Sequence, residues 1–276
     1  MTQFAASAPP GIDLLPMTPA HLPAAHALSQ AAGWPHRIED WALTLSVSQG
    51  VTAVSDGQVV GTAICSVFGP VATLNMIIVD QSMRGRGVGR LLMQRIIALA
   101  AGREMRLVAT EDGLPLYRKL GFVACGQIVQ HQGLALAARP ERPVRGGPAD
   151  PVALATMDTA ASGMERAPLL TRIAATGETL RTEGGFALLR AFGRGHVLGP
   201  VVARDAGAAR ALISAAAERM TGRFLRIDMP EDRGLGSHAE ALGLPRVGGG
   251  TAMVHAPRTR PLSDYHTHAL VSQALG

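Results

Sequence analysis

This sequence predicts a mixed α/β (α+β) fold in two tandem copies, each a mostly antiparallel sheet flanked by helices. Three observations carry that expectation. Residues 51–80 read as a meander of three strands, rich in β-branched residues and broken by turn signals at Asp56-Gly57 and Gly69-Pro70. A helix, a strand, a short helix and a strand follow in that order. The same order then returns at nearly the same spacing, Val79 to Gly121 in the first half and Ala203 to Gly243 in the second.

Each element has its own signature. "GIDLLPMT" reads as a first strand, and "PAHLPAAHALSQAAG" as a helix stopped at Gly33. "HRIEDWALTLSVSQG" reads as a second helix ending at Gly50. Over residues 88–101 Val88, Leu91, Leu92, Ile96 and Leu99 form one apolar stripe at helical spacing. "EMRLVAT" is a strand, "DGLPLYRKLG" a short helix ending at Gly121, and "FVACGQIVQHQGLAL" a last strand region. Around residues 137–150 proline and arginine rise and periodicity stops, which marks a linker between a domain over 1–136 and another over 151–276. In the second, "EGGFALLRAFGRGHVLGPVVARD" repeats the meander, "AGAARALISAAAERM" the helix and "RFLRIDMP" the next strand.

Composition narrows the class. At 276 residues and 47% hydrophobic, the chain can bury a core in each half, and a charged fraction of 17% argues against disorder. No apolar run approaches the roughly 20 residues of a membrane span. The start, "MTQFAASAPPG", has no basic n-region or apolar h-region, so no secretory signal is expected. Cys65 and Cys125 lie in strand-like runs and read as reduced core thiols of a cytoplasmic protein. The net charge of +5 is spread without a dense basic run, and aromatics make up only 4%, which disfavours nucleic acid as a partner. Lys119 is the only lysine, a bias expected from a GC-rich genome.

"VDQSMRGRGVGRLLMQ", residues 79–94, sits between a strand and a helix. Glycines at 85, 87 and 89 let backbone N–H groups curve into a nest, the helix dipole adds positive potential, and Arg84, Arg86 and Arg90 add charge at the rim. The combination suits a pyrophosphate. A plain surface turn explains the glycines but leaves the arginines unexplained. A dinucleotide fingerprint fails because Arg90 holds the third glycine position and the turn follows an antiparallel meander. A Walker A loop fails for want of Gly-Lys-Ser/Thr.

Arg84-Gly85-Arg86-Gly87-Val88-Gly89 resembles the R/Q-x-x-G-x-G/A turn of the GCN5-related N-acetyltransferases (GNAT superfamily). "LPLYRKLGF", residues 114–122, resembles that superfamily's L-Y-x-K-x-G-F stretch. The likeness covers about residues 11–136. The second half resembles a shorter, degenerate domain fused behind such domains in bacteria.

The resemblance implies acetyl-CoA as co-substrate, its pyrophosphate on the amides of residues 85–90 and its pantetheine beside Ile77, Ile78 and Val79. Those three contribute backbone; as side chains they read as core. Thr110 stands where relatives often carry an asparagine that contacts the pantetheine. The implied reaction is direct transfer of an acetyl group to the primary amine of a small molecule or peptide. A non-catalytic acyl-CoA-binding sensor is the alternative. Tyr117 matches the motif tyrosine that can protonate the departing thiolate; a packing tyrosine is the competing reading. Glu39 is the candidate base, although Glu39 and Asp40 also read as a solvated helix face. Asn75 is expected to orient the acceptor, and Trp34 and Trp41 read as pocket wall or as core. No metal site is expected; "HTH" at residues 266–268 reads as a surface tail.

In the second copy "ARDAGAAR" replaces the phosphate turn. Asp205 reads as a helix N-cap whose carboxylate repels a phosphate, and no tyrosine replaces Tyr117. One coenzyme site per chain is therefore expected. The second domain is left to supply acceptor-pocket walls or the surface of a homodimer. Asp158, Arg166, Arg190 and Asp228 are candidate polar contacts there, with surface ion pairs as the simpler reading.

Overall fold

Asp56-Gly57 and Gly69-Pro70 do turn the chain between three consecutive antiparallel strands in the computed structural model, which describes residues 11–276. The opening stretch, expected to lack a secretory signal, lies outside the described residues apart from Gly11. The first copy runs β1 (Asp13–Pro16), α1 (Leu22–Ala31), α2 (Ile38–Ser46), β2 (Gln49–Ser55), β3 (Gln58–Phe68) and β4 (Val71–Val79). It continues with α3 (Val88–Ala100), β5 (Glu104–Ala109), α4 (Leu114–Lys119) and β6 (Val123–Leu134).

The second copy repeats this order. It runs β7 (Arg145–Gly146), α5 (Pro151–Ser162), α6 (Ala167–Thr176), β8 (Glu178–Thr182), β9 (Gly185–Phe192) and β10 (Gly195–Ala203). Then come α7 (Ala206–Arg219), β11 (Phe224–Pro230), α8 (Gly236–Ala241) and β12 (Arg246–His255), with an added strand β13 (His266–Ala269). Local chemistry sets the boundaries. Asp150 caps α5 by accepting from the Val152 amide at 3.0 Å, and Pro151, which has no amide hydrogen to lose, opens the helix.

The copies are joined by an exchange of strands. The sheet order is β1-β2-β3-β4-β5-β12-β6-β11-β10-β9-β8-β7, with β13 paired to β10. Thus β12, the last meander-following strand of the second copy, lies antiparallel to β5 of the first, and β6 lies antiparallel to β11. The exchange also joins the cores. Met253 on β12 is 1% exposed and packs with Leu92, Met93, Ile96 and Tyr117 of the first copy. Another cluster sets Phe68 and Val71 against Leu169, Leu170 and Phe186. Removing buried apolar area on both sides of the join makes separation of the halves costly.

Several expectations are corrected here. His266 and His268 are not on a surface tail: β13 pairs with β10, and His268 is buried. Cys125 is exposed, because β6 is bulged there against β12; Cys65 is buried as expected. Asp158, Arg166, Arg190 and Asp228 are buried rather than surface pairs. Arg166 grips Asp158 through Nε at 2.8 Å and Nη2 at 2.9 Å, and Arg226 grips Asp228 with two bonds of 3.0 Å. Trp41 is core, fully buried with its indole N–H donated to Ser29.

Candidate active site

β4 and β5 run parallel, but they pair only from Val71 to Thr73, opposite Glu104 to Arg106. Beyond that point β5 turns to β12, so from Leu74 onward β4 has no partner on this side among the described residues. A bulge sharpens the splay. Met76 adopts φ +51°, the register with β3 shifts there, and Thr62 Oγ1 donates to the Met76 carbonyl at 2.8 Å. The result is a β4 edge around Met76 and Ile77 that no neighbouring strand pairs on the β5 side among the described residues.

The glycine-arginine turn lies at the end of β4. Gly85 and Gly87 take φ +77° and +81°, and a β-carbon on either would have nothing within 4 Å. Gly87 is the N-cap of α3, so the first amides of that helix face the loop without side-chain caps. Arg84 pairs loosely with Asp112 across the groove at 3.3 Å, both side chains exposed. A groove of about 740 Å³ follows this turn, lined by Ile77, Ile78, Val79, Arg84, Gly85, Gly87, Val88, Gly89, Arg90, Thr110 and Tyr117, with Trp34. Eleven of the residues singled out in the sequence for the coenzyme therefore line one groove. Arg86, on the same turn, is exposed.

A second cavity, about 360 Å³, opens from it. Trp34, Ile77, Thr110 and Tyr117 line both. Asn75 lies in this cleft: its Nδ2 donates to Ser66 Oγ at 3.0 Å, while its buried Oδ1 has no partner among the described residues. Glu39 does not join the site. It is on the exposed side of α2 and lines neither cavity; its neighbour Asp40 points inward instead.

Asp40 accepts from Arg37 at 2.9 Å and from the Gly193 amide at 3.0 Å, and Arg190 lies 3.5 Å away. Burial alone would raise its carboxyl, but the Arg37 and Gly193 bonds hold it below the usual carboxylate range.

The sequence reading missed what the second copy contributes here. Arg194 and Arg226 line the cleft with Phe192, and Gln273 of the C-terminal segment donates to Asp228 at 2.9 Å. His36, on the connection between α1 and α2, faces Phe192 edge-on at 5.3 Å. Burial, then Arg226, push its imidazole down to about 4, so it stays neutral. Only the strand exchange brings Phe192, Arg194, Arg226 and Gln273 beside β4, and no local motif encodes it. Tyr117 is 7% exposed, and burial pushes its phenol up to about 12, so the hydroxyl keeps its proton.

The corresponding places in the second copy are filled. Asp205 accepts from the Ala208 amide at 2.9 Å and pairs with Arg142 at 3.0 Å, at the start of α7. β10 and β11 also splay, pairing in parallel only at His196 and Val197. Yet β13 runs along β10 from Val201 to Ala203, and the Leu270 amide donates to the Asp228 carbonyl at 2.9 Å. The chain's own strand takes up the splayed edge. Among the described residues no group of three or more metal-ligating side chains occurs, and no helix is long and apolar enough to cross a membrane.

Comparison with known proteins agrees with this architecture. Two family profiles, each described as an acetyltransferase (GNAT) domain, match residues 47–124 and 154–267. An uncharacterized N-acetyltransferase of Bacillus subtilis, YitH, is 27% identical over 96% of this chain and 98% of its own. A Pyrococcus horikoshii protein provisionally classed as an acetyltransferase superposes with a TM-score of 0.81 at 20% identity, covering 100% of this chain and 99% of that one. A tandem GNAT protein from the clavulanic acid biosynthesis pathway gives 0.63 at 14% identity, over 90% and 100%. At such identities the structural likeness speaks for the fold, and the profiles and the relative speak for the family. The chain belongs to the GCN5-related N-acetyltransferase superfamily, as an acyltransferase with two GNAT domains of which the second is degenerate.

Proposed function

We propose that the protein transfers an acetyl group from acetyl-CoA to the primary amine of a small molecule or peptide. The meeting of groove and cleft at Trp34, Ile77, Thr110 and Tyr117 carries this reading. Acetyl-CoA supplies an activated thioester. The residues present fit it: open positive-φ glycines before a helix suit a diphosphate, and an unpaired strand edge suits an amide-bearing arm. Backbone N–H groups at the Met76–Ile77 bulge polarise the thioester carbonyl. Tyr117, protonated at every physiological pH, donates its proton to the departing sulfur and is reprotonated by the N–H proton that the attacking amine loses as the amide forms. Asn75 Oδ1 accepts an N–H of the amine and orients its lone pair.

Glu39 is too exposed to serve as base. The cleft itself favours a neutral amine. Arg194 and Arg226 line its second-copy end, where no carboxylate is in the lining among the described residues, and an ammonium ion placed there is destabilised. The same arginines favour an acceptor that also carries an anionic group. Family membership as an acyltransferase does not favour the sensor alternative.

A panel of amines, with and without a carboxylate, tests the reading by following release of the free coenzyme thiol. Thiol release that depends on the amine, strongest for acceptors with an anionic group, is the expected result. Acetyl-CoA binding with no release across the panel would restore the sensor alternative.

A further inference from the structure

The repeat that relates the two copies also relates two cavities. β5 matches β11 in element order, so Arg106 stands where Arg226 stands. β12 matches β6, so Ala252 and Val254 stand where Gln130 and Gln132 stand. The end of α5 and its connection to α6, with Ser162 and Met164, stand where Trp34 and His36 stand. Arg226, Gln130, Gln132, Trp34 and His36 line the acceptor cleft, and their repeat counterparts Arg106, Ala252, Val254, Ser162 and Met164 line a cavity of about 390 Å³ beside it. Gln273 and Val108 line both.

This companion cavity has an excess of positive charge. Arg106, Arg233, Arg258 and Arg260 line it, and Glu104 is the one acidic side chain in the lining. That carboxylate is already taken, by Arg106 Nε at 2.6 Å on Oε1 and by the Arg258 amide at 2.8 Å on Oε2. Arg106 Nη2, Arg233 Nε and Thr267 Oγ1 are buried donors with no partner among the described residues. Three unused donors and mutually repelling guanidinium groups are costly features in a half-enclosed space. An anion relieves both. The remaining walls, Leu107, Ile128, Met164, Met253 and Leu270, are apolar.

We infer that the companion cavity is a second, non-catalytic site that binds a small organic oxyanion, a carboxylate or a phosphate monoester, on an apolar body. Chemistry is not expected there, because β13 fills the splayed edge of β10 and the phosphate turn is closed by Asp205 and Arg142. Duplication has thus left an acceptor-like cavity free of the acetyl donor. The lining is suited to recognising a metabolite and not to transforming it.

Calorimetry on the full chain tests this with 4-phenylbutyrate, phenyl phosphate and the uncharged 4-phenylbutyramide. One equivalent of at least one anion is expected, with the amide weaker by about tenfold or more. Whichever anion binds more tightly identifies the headgroup. Arg233→Gln and Arg260→Gln should each weaken that anion by about tenfold while acetyl-CoA affinity stays unchanged, which also shows that the variants fold. Cys125 lines the cavity and Cys65 is buried, so the anion should also slow alkylation of Cys125 by N-ethylmaleimide. The proposal fails if neither anion binds at millimolar concentration, or if the amide binds as well as the acids. It fails equally if the arginine variants bind normally or if acetyl-CoA displaces the probe.

Discussion

A β-carbon on Gly113 would lie 2.6 Å from Cε2 of Tyr117, so the glycine before α4 makes the space in which the tyrosine ring sits. Phe122 closes the other side with its ring centroid 6.3 Å away. The phenol is thereby fixed at the junction of groove and cleft. Tyr117→Phe keeps this packing and removes the proton donor. A fall in kcat of about a hundredfold is expected, with the acetyl-CoA dissociation constant unchanged by calorimetry. Because burial raises the phenol to about 12, no ionisation of Tyr117 should shape the rate profile of the wild type below pH 10. An unchanged kcat would leave the tyrosine a packing residue.

The nest at Gly87 allows a direct test of the coenzyme assignment. Gly87→Asp puts a carboxylate beside the free amides of α3 and imposes a side chain on a backbone at φ +81°. Acetyl-CoA binding should be lost, while circular dichroism shows the fold retained. Gly87→Ala separates the two effects: it carries the backbone cost without the charge and should weaken binding less.

Nearly every element of the first copy was legible in the sequence, because its signals are local. Glycine and proline mark the meander turns, and Val88, Leu92 and Ile96 keep the helical period that puts them in the core. The coenzyme groove was legible for the same reason, since its residues cluster in two short motifs. The acceptor cleft was not. Arg226, Phe192 and Gln273 reach it through the exchange of β6 and β12, a pairing that hydrophobic periodicity does not encode. Glu39 and Asp40 show the limit at one residue's scale: both read as a solvated helix face, and nothing local says that Arg37 and Gly193 turn Asp40 inward.

The second copy should bind no coenzyme even when its carboxylate is removed. Asp205→Ala takes away the N-cap and the Arg142 partner, but β13 still lies along β10. Calorimetric stoichiometry should stay at one acetyl-CoA per chain, with stability lower by about 1 kcal/mol for the lost cap. A second bound equivalent would show that Asp205 alone had closed the site.

A half-buried and a buried histidine predict an acid-sensitive fold. Burial, helped by Arg226, lowers His36 to about 4, and burial, helped by Arg233, lowers His268 to about 4. Each is neutral in the folded chain but takes a proton in the unfolded chain below its ordinary value of 6.5. Their stabilisation is therefore complete above pH 6.5 and is lost as the pH falls towards 4. The melting temperature should drop across that window, and the double variant His36→Gln, His268→Gln should show a shallower drop. Equal slopes would assign the acid sensitivity to carboxylates such as Asp40, whose lowered value acts in the same direction.

Arg166 ties the C-terminal segment to the cleft. It is 1% exposed, holds Asp158 through two bonds and donates to the carbonyls of Leu275 and Gly276. That anchor fixes the turn from Ser272 to Gly276, on which Gln273 reaches Asp228 and Gln130. Arg166→Ala strands a buried carboxylate, and a loss of about 3–5 kcal/mol is expected by denaturant unfolding. Asp158→Asn with Arg166→Met removes both charges and should recover much of that stability without restoring the bonds to the segment. If the anchor positions Gln273, the recovered variant should still show a raised KM for the amine with acetyl-CoA affinity unchanged. A normal KM would mean that the segment holds its place through Val271 and Leu275, which are packed against Leu169 and Phe186, rather than through the arginine.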